Sequence, residues 1–159
     1  MTKKVVTRSK IIISVIGGHK CDSKVEQMAI ELGKNIAKMG LILACGGLSG
    51  VMSAVSRGAK LAGGLTVGIL PGQNKQDANP YIDIRLPTGI GYARNTIVVS
   101  AGEVVVAMPG ETGTLSEIGF ALNMGKPVID LGNWDIKGMI KARSVKEAVG
   151  IIKRLLKVS

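Results

Sequence analysis

Short apolar runs alternate along this chain with glycine turns and amphipathic stretches. Ile11 to Ile16 leads into Gly17-Gly18-His19, and Leu41 to Ala44 leads into Cys45-Gly46-Gly47-Leu48-Ser49-Gly50. Leu65 to Leu70 ends in Pro71-Gly72, and Val104 to Met108 ends in Pro109-Gly110-Glu111-Thr112-Gly113-Thr114. Runs this short, bounded by turn residues, predict buried strands. Between them helical spacing takes over. Val25, Met28, Ala29, Leu32 and Ile36 share one face of a helix predicted to open at the capping box Ser23-x-x-Glu26 and to stop at Gly40. A second helix starts at Val51 and ends at Gly63-Gly64. Ile82 to Leu86 reads as a short strand. A turn over Pro87 to Gly91 then precedes a helix from about Tyr92 to Ser100, with Arg94 and Asn95 in its first turn. Thr114 to Met124 is a further helix, stopped by Gly125-Lys126-Pro127, and Val128 to Leu131 is another strand. Ser144-x-x-Glu147 is a second capping box, opening a last helix that runs to about Lys157.

Strand, glycine turn and helix, repeated in that order, predict an α/β domain: three-layer, Rossmann-like and doubly wound, with a mostly parallel sheet of about six or seven strands. Such sheets bind ligands beyond the C-terminal ends of their strands. Several glycine turns converge on that edge here, where glycine lets the backbone bend tightly and approach a ligand closely. In the turn after Met108, Thr112 or Thr114 is expected to cap the following helix, whose free amides would face an anion. Glu117 is expected in the first turn of that helix. The alternative reading is an ordinary strand-to-helix turn with a capping carboxylate. The dinucleotide fingerprint does not fit. Gly46-Gly47-x-x-Gly50 lacks its spacing, no acidic residue ends the next strand, and there is no P-loop Lys-Ser/Thr. Residues 71–81 form the longest polar loop, and long loops at a ligand edge are often functional.

Composition narrows the picture. The chain has 159 residues, enough for one domain with a substantial core, read as a basic tail over residues 1–10 and a single domain over 11–159. No apolar run is long enough to cross a bilayer, and the N-terminal apolar segment runs into a glycine turn rather than a cleavage site. Two cysteines are too few for a disulfide framework, so a cytoplasmic location is expected. The net charge of +10 suggests nucleic acid until it is located. Lys3, Lys4, Arg8 and Lys10 at one end, and seven basic residues against Glu147 alone over residues 137–159, account for the whole excess. Aromatic residues for base stacking are scarce. The charged ends read as solvated, and nucleic-acid association remains a third reading behind the two given below.

Arg94 is the best candidate phosphate ligand, because a guanidinium matches phosphate in a bidentate way. Its alternative role is a surface ion pair. Glu117 could hold ribose hydroxyls or steady positive charge at an anomeric carbon during N-glycosidic cleavage. His19 follows the first glycine turn; it could contact a ligand, and otherwise reads as a solvated loop residue. Cys45 reads as an apolar filler. No cluster has metal-ligand spacing, and no Ser/His/Asp set is present.

Cys45-Gly46-Gly47-Leu48-Ser49-Gly50-Val51-Met52, followed by Arg94 and then by Pro109 to Glu117, resembles the Lonely Guy superfamily, once labelled lysine decarboxylases. The likeness covers roughly residues 11–131. It implies that Arg94 matches the family's arginine and Glu117 its catalytic glutamate, with Gly46, Gly47 and Gly50 as its glycine turn. Members of the best-known branch are cytokinin riboside monophosphate phosphoribohydrolases. Glu111 stands where those hydrolases have a glycine, and Asn95 where they have a lysine. Gly68-Ile69-Leu70-Pro71-Gly72, Gly91 to Asn95 and Gly113 to Leu122 are more similar to the branch of molybdenum cofactor carrier proteins. Decarboxylation of lysine would need pyridoxal phosphate on a lysine, and none follows a strand at the glycine-rich edge.

The expected function is therefore binding of a phosphorylated nucleotide or nucleotide-like cofactor, such as the molybdenum cofactor or a pterin phosphate, as a carrier. The alternative is a nucleoside 5′-monophosphate phosphoribohydrolase with Arg94 and Glu117 as its catalytic residues and no catalytic cofactor. The expected binding residues are Gly17, Gly18, Gly46, Gly47, Gly50, Arg94, Asn95, Pro109, Gly110, Thr112, Gly113 and Thr114, with no metal site. The apolar positions of the Tyr92–Ser100 and Thr114–Met124 helices spread wider than one stripe, so a homo-oligomer is expected. The resemblance agrees, since the hydrolases pair through the matching helices and the carriers form tetramers.

Overall fold

The computed structural model describes residues 9–159, so most of the basic tail lies outside the described residues. The strands are β1 (Ile12–Ile16), β2 (Ile42–Cys45), β3 (Thr66–Leu70), β4 (Ile84–Pro87), β5 (Val104–Ala107), β6 (Val128–Asp130) and β7 (Ile140–Lys141). They form one sheet in the order β4-β3-β2-β1-β5-β6-β7. Every pairing is parallel; Ser14 of β1, for example, is in register with Ala44 of β2 and Val105 of β5. The chain builds outward from β1 to β4, then returns to lay β5 on the other side of β1. That reversal leaves a crevice at the ends of β1 and β5.

Burial on both faces explains why the strands read as unbroken apolar runs rather than alternating ones. Ile13, Val15, Val104 and Val106 point to one face, which is covered by α1 (Ser23–Lys38), α2 (Val51–Leu61) and α5 (Val145–Leu156). Ile16, Val105 and Ala107 point to the other, covered by α3 (Asn95–Ala101) and α4 (Thr112–Asn123). The result is three layers around a fully parallel sheet of seven strands. α1 and α2 cross at glycine contacts. A Cβ on Gly33 would lie 2.0 Å from the Val55 carbonyl oxygen, and one on Gly58 would lie 2.0 Å from that of Ile30. On the opposite face the buried Ser14 hydroxyl donates to the Val98 carbonyl at 2.6 Å and ties α3 to the middle of the sheet.

Several local expectations need correction. Asp22, not Ser23, caps α1, its carboxylate accepting from the Val25 amide at 2.9 Å. Adjacent Asp and Ser compete for one cap position, and the carboxylate is the stronger acceptor. Neither Thr112 nor Thr114 caps α4. The helix already begins at Thr112, Glu111 holds the cap position, and no side chain bonds the free amides. Glu117 consequently lies one turn further in than expected. Arg94 ends a short 3₁₀ turn, Gly91–Arg94, rather than sitting in an α-helical first turn. At the last helix Ser144 does cap the Glu147 amide at 3.1 Å, but the Glu147 carboxylate reaches Arg143 instead of closing the box.

Candidate functional site

Three turns meet at the crevice. The Gly18 amide donates to the Pro109 carbonyl at 2.9 Å, and the Val51 amide donates to the Gly18 carbonyl at 2.9 Å. The turns after β1, β2 and β5 are thus bonded into one floor. Above it lies a cavity of about 970 Å³. Gly17, Gly18 and Gly46 line it, as do Arg94 and Asn95 and, from the start of α4, Thr112, Gly113, Thr114 and Glu117. Four of the expected residues do not line it: Gly47, Gly50, Pro109 and Gly110. Gly47 and Gly50 turn the chain away with φ of 77° and 65°. Pro109 and Gly110 pack behind Gly18, where an added Cβ would come 3.3 Å from the Gly110 Cα. The polar loop 71–81 does not reach the cavity either. Its Asn79 holds the second turn from outside, its amide donating to the Gly47 carbonyl at 2.9 Å and its side chain to that of Leu48 at 2.8 Å.

Arg94 is 6% exposed. One guanidinium nitrogen, Nη1, donates to the Asn95 side-chain oxygen, while Nη2 lies 3.5 Å from the Gly46 carbonyl. Nε is buried without any hydrogen-bond partner. An unsatisfied donor on a buried cation is costly to a protein and cheap to satisfy with an anionic ligand. Burial pulls the guanidinium below its ordinary range, and the neighbouring Glu117 works against that.

Glu117 is 8% exposed. Burial pushes its carboxyl up to about 8, against the pull of Arg94. The two side chains feel each other's charge, yet no ion pair within 4 Å joins them among the described residues. At neutral pH Glu117 therefore mostly keeps its proton and presents a hydrogen-bond donor to the cavity. Cys45 is buried beneath the site, its thiol also pushed up by burial, and it does not line the cavity.

Residue-type reasoning missed the apolar half of the wall. Leu48 and Met52 line it from below, and Tyr92 and Phe120 stand exposed at the mouth. Phe120 is one helical step beyond Glu117, so i, i+3 spacing carried that signal. His19 is an exposed loop residue and also belongs to the wall, which is compatible with both of its expected roles. Among the described residues no group of His, Cys, Asp and Glu could hold a metal ion, and no helix is long and apolar enough to cross a membrane.

The sequence profile described as SLOG cluster4 family (LDcluster4) matches residues 10–156. A solved molybdenum cofactor binding protein from the phototrophic bacterium Rippkaea orientalis is 37% identical. It covers 94% of this chain and 99% of its own, with a TM-score of 0.88. The molybdenum cofactor carrier protein of Chlamydomonas reinhardtii is 38% identical over the same shares, with a TM-score of 0.85. A cytokinin riboside 5′-monophosphate phosphoribohydrolase of Mycobacterium tuberculosis is 29% identical over 117 residues, which span 68% of this chain and 63% of that protein.

Proposed function

This chain belongs to the SLOG cluster4 family, within the Lonely Guy-like proteins, and from that membership we propose that it binds a phosphorylated nucleotide or nucleotide-like cofactor as a carrier. The observation that carries the reading is Arg94: a buried guanidinium with a free Nε, lining the same cavity as the uncapped start of α4. A phosphate between the two would satisfy both. Tyr92 and Phe120 at the mouth offer rings on which a planar base or pterin could stack. The likeness to two molybdenum cofactor proteins over nearly the whole chain supports the same class of ligand. The donor set suits the phosphate and the heterocycle of that cofactor. A soft metal would find no cysteine on the wall.

A second reading follows from Glu117 and the mycobacterial relative: hydrolysis of a nucleoside 5′-monophosphate to free base. Steadying an oxocarbenium-like transition state needs the carboxylate anion. Burial raises the Glu117 carboxyl to about 8, so this reading calls for turnover that climbs toward alkaline pH as the carboxylate forms.

Exposed Leu115 and Phe120 on α4 and Met124 at its C-terminal cap, 46%, 42% and 44% accessible, support burial of this side against a second copy. Both cysteines are unpaired, which accords with the reducing cytoplasm.

Native mass spectrometry of the purified protein tests the carrier reading. A phosphorylated ligand is expected to be retained by the wild type and lost from Arg94→Ala. Equal retention by both would remove Arg94 from the site. Incubation with nucleoside monophosphates tests the second reading: hydrolysis predicts base release that rises through pH 8 and is absent in Glu117→Gln.

A further inference from the structure

We propose that a second cavity, whose wall shares only His19 with the first, is an anion site that takes a phosphoryl group between Lys20 and Arg57. It has a volume of about 420 Å³. Lys20 and Cys21 reach it from the chain between β1 and α1, Glu26 from the first turn of α1, and Ser53 and Arg57 from successive turns of α2. Tyr81 reaches it from the end of the polar loop 71–81, which the first cavity leaves unused. Hydrogen bonds fix these segments against one another. The Val51 amide donates to the Gly18 carbonyl at 2.9 Å, and the Ser49 hydroxyl donates to the His19 carbonyl at 2.9 Å. The Tyr81 amide donates to the Asn79 side-chain oxygen at 3.0 Å, and the Tyr81 carbonyl accepts from the Thr66 hydroxyl at 2.6 Å. The inference does not depend on what the first cavity holds.

Charge decides the chemistry of the ligand. Lys20 and Arg57 bring two positive charges to this wall, and Glu26 brings one negative charge. No ion pair within 4 Å joins any of the three to a partner among the described residues. The cavity therefore keeps a net positive charge and an unpaired guanidinium, the group that meets a phosphate with two parallel donors. Ser53 adds a hydroxyl four residues before Arg57, on the same face of α2. A phosphate dianion suits this balance, whereas a cation would meet two like charges.

Cys21 is the reporter. It lines this cavity, while Cys45, the other cysteine of the chain, is fully buried. A phosphoryl group beside Cys21 would cover the thiol and disfavour the reactive thiolate by its charge. Modification of Cys21 by N-ethylmaleimide is followed by mass spectrometry at fixed pH and ionic strength, with inorganic phosphate and adenosine 5′-monophosphate as the two probes. Bound phosphate is expected to slow the wild type by about threefold or more, and the exposed double variant Lys20→Gln, Arg57→Gln to stay within about 1.5-fold of its rate without probe. Slowing by both probes assigns the site to phosphate itself, and slowing by the nucleotide alone assigns it to a phosphate ester. Arg94→Ala is expected to keep the protection, because the first cavity takes no part in it. Loss of protection in Arg94→Ala, equal protection in the double variant, or no protection by either probe would overturn the second site, and each of these leaves the ligand retention test of the first cavity untouched.

Discussion

Gly46 lies against Arg94 so closely that a Cβ built on it would stand 2.8 Å from Nη2. An added side chain there would crowd both this guanidinium and the Met52 sulfur, 2.7 Å away. Gly46→Ala is expected to push the guanidinium toward the cavity mouth and to weaken ligand binding while leaving the fold intact. The loss should approach that of Arg94→Ala, about 1.5–3 kcal/mol for a charge-assisted contact. Titration calorimetry beside circular dichroism checks it, and full affinity in the folded alanine variant would contradict the placement of Arg94.

Glu117 gives stability a pH dependence of known sign. Its carboxyl is raised from an ordinary 4.5 to about 8 in the folded chain. The native state therefore holds a proton that the unfolded chain has released across that window. Raising the pH from 4.5 to 8 then favours unfolding, by an amount on the order of a few kcal/mol for this group alone. Glu117→Gln removes the titration. The variant should gain stability relative to wild type as the pH rises from 5 to 8, read from denaturant midpoints. A difference that stays flat over that range would contradict the buried, protonated carboxyl.

Gly58 is fixed by the helix crossing rather than by chemistry. Gly58→Ala drives a methyl group to 2.0 Å from the Ile30 carbonyl oxygen, a backbone atom that cannot rotate aside. Overpacking of this kind costs about 1–3 kcal/mol. Thermal melting should place this variant well below Gly150→Ala, where nothing lies within 4 Å of the added carbon.

Asp130, buried at the end of β6, accepts from the amides of Gly132, Trp134 and Asp135 at 3.1, 3.0 and 2.8 Å. It shapes the loop that carries the only tryptophan. Asp130→Ala is expected to loosen that loop and to weaken the Trp134 Nε1 bond to the Met108 carbonyl, 3.0 Å long. Loss of the near-ultraviolet tryptophan signal, with the far-ultraviolet spectrum retained, is the expected result.

The exposed α4 side chains make assembly measurable. Light scattering at micromolar concentration should give a mass at least twice the 16.6 kDa of one chain, and Phe120→Asp should lower it. A monomer mass for the wild type would show that this face stays in solvent.

The strand ends and the glycine turns were legible in the sequence because burial on both sides of a parallel sheet leaves continuous apolar runs that glycine interrupts. Arg94 and Glu117 could be singled out by residue type, and the structure brings both to one cavity. The two-residue strand Ile140–Lys141 gave no pattern, because a pairing that short has no period. Leu48, Met52 and Tyr92 were hidden for a different reason. Leu48 and Met52 flank one turn-to-helix junction, and the sheet order brings Tyr92 of the Gly91–Arg94 turn to the same cavity. The helix start at Thr112 was missed because no side chain caps it.

The two covers of the sheet are unequal. One side has three helices, of 16, 11 and 12 residues, while the other has α4 and the seven-residue α3, which follows directly on Arg94. Opening of the thin side costs less than global unfolding, and its amides should exchange with solvent sooner than those of α1. On the proposed carrier reading, a ligand held by Arg94 would be let go by local loosening of one layer while the sheet and its heavier cover stay folded. Departure rate and overall stability would then be separately adjustable, and release would not require a fragile fold.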